Sequence, residues 1–263
     1  MDTVSSQDGT TIAFSRTGSG PALVLVVGAF CDRQTTRSLT KVLASDFTAY
    51  EYDRRGRGAS GDTAPYAVER EVEDLAAVAG AARTAGSAPF VFGHSSGAVL
   101  ALEAAARGVP IARLVAYEPP YIVDESRSRP GTDLAERLAA LVSAGRPGDA
   151  AKLFLTEAVQ VPPEVVATME GGPDWPAMTA LAHTLCYDVV ACANNEMPSD
   201  RLAEIRVPTL VLGGSESPEW FHNTVRAVAA TVPGAEHRFL DGQDHGAADD
   251  VLAPVLLEFL RAQ

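Results

Sequence analysis

Six aliphatic residues in succession, Ala22-Leu23-Val24-Leu25-Val26-Val27, run without a polar interruption up to Gly28. The run is too short to cross a bilayer. It also lacks period-two alternation, so a strand made from it must be buried on both faces, as in a parallel sheet covered by helices. Other strand-like segments follow the same logic. Thr11–Arg16 alternates after the Asp8-Gly9 turn signal, and Thr48–Tyr52, Phe90–Phe92, Leu114–Tyr117, Thr209–Leu212 and Arg238–Leu240 are short β-rich runs. Helical patterns lie between them. Val68, Val72, Leu75, Ala76 and Ala79 recur at three- and four-residue intervals among acidic neighbours, Ser96–Arg107 is rich in Ala and Leu and stops at Gly108, and Val251–Phe259 closes the chain. Strands alternating with helices imply βαβ crossovers, hence an α/β fold around a mostly parallel sheet.

Residues 119–200 break this rhythm with helical segments at Asp133–Ser143, Asp149–Val159, Glu164–Glu170 and Trp175–Ala193 and no clear strand. A block of this kind between two core strands is expected to form a helical cap over the C-terminal edge of the sheet. Residues 1–118 and 201–263 then make the core. At 263 residues and 46% hydrophobic composition the chain can bury one sizeable core.

A formal charge of −13 argues against any broad nucleic-acid or anionic-membrane surface. The expected partner is a small-molecule substrate, with the protein a monomer or homodimer. Cys31, Cys186 and Cys192 are few, odd in number and without CxxC spacing, which suggests free thiols. No basic segment followed by an apolar one opens the chain, so the expected location is cytoplasmic. Nothing matches a metal cage, a phosphate-cradling loop or a dinucleotide fingerprint, and no cofactor or metal is expected.

Gly93-His94-Ser95-Ser96-Gly97 follows one strand and opens a helix, the context that a G-x-S-x-G nucleophile turn requires. Glycines let the chain reverse sharply so that the Ser95 hydroxyl stands clear of the sheet. The helix start supplies the unpaired Ser96 amide and a favourable dipole end for a developing oxyanion. With this motif in place, the chain resembles the α/β-hydrolase superfamily from end to end. Leu23–Phe30 stands where that family has a strand and a His-Gly turn. Tyr52-Asp53-Arg54-Arg55-Gly56-Arg57-Gly58-Ala59-Ser60, the Ser95 turn and a histidine before the last helix follow in the family's order. It is most similar to small, lidded bacterial serine hydrolases, which include esterases, lactonases and carbon–carbon bond hydrolases.

The resemblance implies an eight-stranded, mostly parallel sheet flanked by helices, with Ser95 as nucleophile. It implies His245, in Gly242-Gln243-Asp244-His245-Gly246, as the base. His94, inside the turn, is expected to pack or hydrogen-bond there. His183 is assigned to helix packing, and His222 and His237 to the surface. The acid is less regular. The family's usual Asp position is occupied by Ser217, which leaves Glu118, after Leu114–Tyr117, and Glu216 as alternatives, Glu118 being favoured because some dehalogenase branches place their acid there. The oxyanion hole falls to the amides of Ala29 and Ser96, although Val27 replaces the usual His. Arg54 and Arg55 are expected to brace loops in preference to binding an anion. Phe154, Met169, Trp175, Met178 and Tyr187 can face core or pocket, core packing being favoured. The activity implied is cofactor-independent hydrolysis of an ester, lactone or other activated carbonyl of a small, largely apolar substrate through an acyl-enzyme. Lyase or cyclase chemistry and catalytically silent ligand binding stand as alternatives.

Overall fold

A computed structural model describes residues 1–83 and 86–262. Thr84, Ala85 and Gln263, which fall within the expected core segments 1–118 and 201–263, lie outside the described residues. In chain order the core opens with β1 (Asp2–Ser5), β2 (Thr11–Gly18), β3 (Ala22–Val26), α1 (Arg37–Leu43), β4 (Thr48–Tyr52), α2 (Val68–Ala82), β5 (Phe90–His94), α3 (Ser96–Ala106) and β6 (Leu114–Tyr117). It resumes with β7 (Thr209–Gly214), α10 (Glu219–Thr231), β8 (Glu236–Leu240) and α11 (Asp249–Arg261). The strands form one sheet in the order β1-β2-β4-β3-β5-β6-β7-β8. β1 and β2 run antiparallel to their neighbours, and every pairing from β4 onward across the sheet is parallel.

The unbroken apolar runs are now explained. Every residue of β3, β6 and β7 is buried. Alternate residues serve opposite layers: Val24 and Val26 pack with α2, α3 and α10, whereas Leu23 and Leu25 pack with Leu39 and Leu43 of α1 and with Leu252 and Leu256 of α11. The short N-terminal strand β1 and helix α1 were not anticipated. Their few apolar residues carry too little periodicity to stand out locally.

Among the described residues the segment between β6 and β7 contains no strand; after an irregular stretch over 118–133 come α4 (Leu134–Ser143), α5 (Pro147–Leu153), α6 (Pro163–Glu170), α7 (Trp175–Ala180), α8 (Leu185–Ala191) and α9 (Ser199–Leu202). Leu134, Leu138, Phe154, Leu185 and Val189 give it a small core of its own, against which Ala29 and Phe30 also pack. Two expected helices are broken. The Asp149–Val159 pattern starts earlier, on Pro147, and widens into a π-helical turn over Phe154–Val159. The Trp175–Ala193 pattern is interrupted by a 3-10 turn at Ala182–Thr184 and ends where Ala193, Asn194 and Asn195 all take positive φ. Hydrophobic spacing alone does not register such breaks, because the turns preserve the buried stripe. Among the described residues, no helix is long and apolar enough to cross a membrane.

Leu25 is fully buried at the centre of the sheet. Leu25→Ala is expected to cost about 2–5 kcal/mol of unfolding free energy, from lost burial and a residual cavity, measurable by urea denaturation. A loss under about 1 kcal/mol would mean that this layer repacks freely.

Candidate active site

β5 feeds directly into a turn that an L-residue ordinarily avoids. Ser95 has φ 57° and ψ −125°, a strained combination costing on the order of 1–3 kcal/mol. The flanking structure imposes it: the Ser95 amide donates to the Tyr117 carbonyl at 2.9 Å, and α3 begins at the next residue. Two glycines make the space. A Cβ on Gly28 would sit 2.9 Å from Ser95 Cβ, and one on Gly97 would collide with the Val26 carbonyl, so α3 could not approach β3. Ser95 thereby lines a cavity of about 410 Å³, together with His245, Ala29 and Ser96. Most of the wall is apolar, including Phe30, Phe154, Leu155, Val189, Trp220 and Phe221.

At the end of β6, Tyr117 lies opposite Leu212 of β7. Glu118 follows with φ 45° and its amide donates to the Leu212 carbonyl at 2.9 Å. Its fully buried carboxylate accepts a hydrogen bond from the Gly214 amide at 2.8 Å on Oε1. Oε2 lies 2.6 Å from His245 Nδ1. A carboxylate on Nδ1 keeps the proton there and leaves Nε2 as the ring's acceptor. Phe221 stacks on the His245 ring at 4.9 Å and 18°, and His94 lies against it at 4.6 Å. The loop carrying His245 is pinned by its own carbonyls: His94 Nε2 meets that of His245 at 2.8 Å, and Tyr117 Oη donates to that of Asp244. Burial, and secondarily the neighbouring His245, pulls the His94 pKa from 6.5 to about 4, so His94 is a neutral donor here. Among the described residues no hydrogen bond joins Ser95 Oγ to His245, although both line the cavity.

Of the two carboxylates left open by the sequence, the structure brings Glu118 and not Glu216 to His245. Glu216 is exposed, and its amide is tied to the Gln243 carbonyl at 2.8 Å. Ser217 is buried with its hydroxyl unpartnered. His237 is exposed. His183 reaches across to the Gly56 carbonyl at 2.7 Å. His222, expected on the surface, is half-buried with Nε2 2.9 Å from the Gly214 carbonyl, because α10 packs on β7. Of the five large side chains singled out in the helical segment, Phe154 alone lines the cavity.

Behind the Ala29 and Ser96 amides lies a buried knot of charge. Arg54 pairs with Glu71 through Nε and Nη2, both at 2.6 Å, and with Asp188 of α8 at 2.8 Å. Arg57 Nη2 grips both oxygens of Asp188, at 2.9 and 2.8 Å. Asp188 also accepts from Ser96 Oγ at 2.7 Å. The remaining donors hold the loop on both sides of Ala29: Arg54 Nη1 donates to the Val27 carbonyl at 3.3 Å, and Arg57 Nη1 to the carbonyls of Gly28 and Cys31. All four side chains are almost wholly buried. Burial by itself would raise the Asp188 pKa, but Arg57 and Arg54 outweigh it and hold the carboxyl below its usual range. Arg55 is likewise engaged, with Asp74 and Asp8. The arginines therefore brace loops, as expected, and are ion-paired with the protein's own carboxylates, although the buried Nε of Arg57 has no partner.

Sequence reading missed Asp188, Arg127, Trp220 and Phe221, all of which line the cavity. Asp188 meets Arg54 across 134 positions of chain, and no local pattern encodes that pairing. The adjacent aromatics Trp220-Phe221 after Pro218 were the one usable signal, since two large rings at a helix start exceed what a surface helix needs.

A family model described as the alpha/beta hydrolase family matches residues 23–255. The chain is similar to an alpha/beta hydrolase from Sphaerobacter thermophilus DSM 20745, with 53% identity, a TM-score of 0.93, and 98% of this chain and 100% of that chain covered. The enol-lactonase from Burkholderia xenovorans LB400 shares the fold at 18% identity and TM-score 0.75, covering 99% of this chain and 100% of that one. The N-formylmaleamate deformylase of Pseudomonas putida strain KT2440 is 35% identical over 116 residues, which is 43% of this chain and 42% of the deformylase. The match thus spans less than half of that relative's length.

Asp188→Asn removes one buried charge and leaves Arg54 and Arg57 undercompensated. It is expected to cost about 3–5 kcal/mol in urea denaturation, and a loss below about 1 kcal/mol would contradict the knot's structural weight. His94 gives a second expectation. Unfolded it takes up a proton near pH 6.5 and folded only near pH 4, so between these values the unfolded state binds more protons. Stability should therefore fall as pH drops through this window, and His94→Gln should flatten that part of the stability–pH curve.

Proposed function

The chain belongs to the α/β-hydrolase family, and from that premise we propose that it is a cofactor-independent serine hydrolase acting on an ester, lactone or other activated carbonyl of a small, largely apolar substrate. The observation that carries this reading is that His245, held by Glu118 at 2.6 Å, shares one cavity with the strained Ser95 turn.

In this reading His245 Nε2 takes the proton from Ser95 Oγ as the oxygen attacks the carbonyl carbon. Glu118 stays ionised and stabilises the imidazolium that forms. The amides of Ala29 and Ser96 hold the oxyanion. His245 returns the proton to the leaving oxygen or nitrogen, the tetrahedral adduct collapses to acyl-Ser95, and a water activated by the same base releases the acid. A Ser95–His245 hydrogen bond absent from the free enzyme can tighten when substrate fills the cavity. Residues 119–200 act as the cap that supplies part of the apolar wall, through Phe154, Leu155 and Val189. Names such as enol-lactonase and deformylase among the relatives fit acyl cleavage.

A fluorophosphonate probe should label wild-type protein on Ser95 and leave Ser95→Ala unlabelled. Glu118→Gln should cut ester turnover by about 10⁴, whereas Glu216→Gln should stay near wild type. The reverse pattern in the two Glu variants would move the acid to Glu216. Absence of labelling would favour a silent binding protein, and labelling with no turnover on any ester or lactone would favour lyase or cyclase chemistry.

A further inference from the structure

Arg127 stands apart from the other arginines of the interior. Arg54, Arg55 and Arg57 each pair with carboxylates, but among the described residues no carboxylate lies within ion-pairing distance of Arg127. Its Nη2 donates to the Ala158 carbonyl at 2.7 Å, its Nε is buried without a partner, and its guanidinium lies 4.1 Å over the Trp220 ring. It lines the same cavity as Ser95. Nothing nearby offsets the cost of burial, which draws its pKa down to about 10 and still leaves it charged at neutral pH.

Around it the cavity offers no counter-charge. Asp188 is the one acidic residue in the lining among the described residues, and Arg54 and Arg57 already neutralise it. Glu118 does not line the cavity. The cavity therefore holds one uncompensated cation against mostly apolar walls. With a net charge of −13 the protein as a whole repels anions, but that field is screened beyond about 10 Å in ordinary salt. A local guanidinium then decides what the pocket accepts.

The geometry points to a substrate carrying a carboxylate at the end remote from the scissile carbonyl, and we propose that Arg127 binds that carboxylate. The inference rests on the serine hydrolase reading above. Phe221 stacks on His245 and Trp220 stacks on Phe221 at 3.6 Å, so two rings separate the base from the Arg127 guanidinium. A hydrocarbon chain between the two carbonyl carbons would meet an apolar lining that includes Phe30, Phe154 and Leu155. Nη1, which has no hydrogen-bond partner among the described residues, and the Nη2 hydrogen not taken by Ala158 match a carboxylate's two oxygens, and such charge-assisted pairs are about twice as strong as neutral ones. Hydrolysis of this substrate would release a dicarboxylic acid.

The test compares, over chain lengths from glutaric to sebacic acid, the mono-4-nitrophenyl ester with its neutral methyl ester by nitrophenol release. Wild type should prefer the free acid about tenfold or more in kcat/KM. Arg127→Gln should lose that preference chiefly through KM, and Arg127→Lys, which keeps the charge without the fork, should retain part of it. Fluorophosphonate labelling of Ser95 is read in each protein. Labelling together with equal handling of both esters, or with a preference for the neutral one, overturns the carboxylate proposal alone. No labelling of wild type overturns the hydrolase reading beneath it. If Arg127→Gln fails to fold, the wild-type preference and its reduction in Arg127→Lys decide the matter, and an undiminished preference in Arg127→Lys counts against the fork.

Discussion

Arg54 and Arg57 face Glu71 and Asp188 in a buried group of two positive and two negative charges, and three parts of the molecule meet there. The loop 27–31 is held by its carbonyls, the start of α3 by Ser96 Oγ, and the helical segment by Asp188 itself. Burying four ions is expensive, and such a group is at best weakly favourable compared with a well-packed apolar substitute. Its consequence is geometric. With the loop and helix start each tied to one carboxylate, the amides of Ala29 and Ser96 keep a fixed relation. Val27, at the position where the family resemblance leads one to expect His, has no polar side chain to brace the loop, and the arginines hold it from behind.

Glu118 illustrates a second substitution of means. Ser217, after β7 at the position the family resemblance assigns to an Asp, is too short and uncharged. β6 is the neighbouring strand, with Tyr117 in register with Leu212, so a residue just beyond Tyr117 emerges beside Gly213 and Gly214. Glu118 turns there through a positive φ and has the length to reach His245 Nδ1 while its other oxygen caps the Gly214 amide. Both strained residues of the site, Ser95 and Glu118, sit at adjacent strand ends and are tied to each other's neighbourhood by the Ser95 amide and the Tyr117 carbonyl.

Most of the sheet was legible because strands buried on both faces leave unbroken apolar runs, and the Ser95 turn because glycines at fixed offsets are needed for close packing. His245, and Glu118 as the favoured of two acids, were legible only through the family resemblance, which places a base and an acid after particular strands. What stayed hidden has a common cause. Asp188 acquires its meaning from Arg54 and Arg57, and Arg127 from the absence of an acid around it, and both are properties of three-dimensional neighbourhood. The breaks in the helical segment were hidden for another reason: the π-helical turn at Phe154–Val159 and the 3-10 turn at Ala182–Thr184 keep the apolar face intact.

The central claim is that Ser95 forms a covalent acyl intermediate with His245 and Glu118 behind it. Intact-protein mass spectrometry of enzyme acid-quenched during the first turnovers of an activated aryl ester tests this directly. The account predicts a mass increase equal to the acyl group, located on the peptide containing Ser95 and absent from Ser95→Ala. Product formation at full rate with no adduct on Ser95, or with the adduct on another residue, would contradict it.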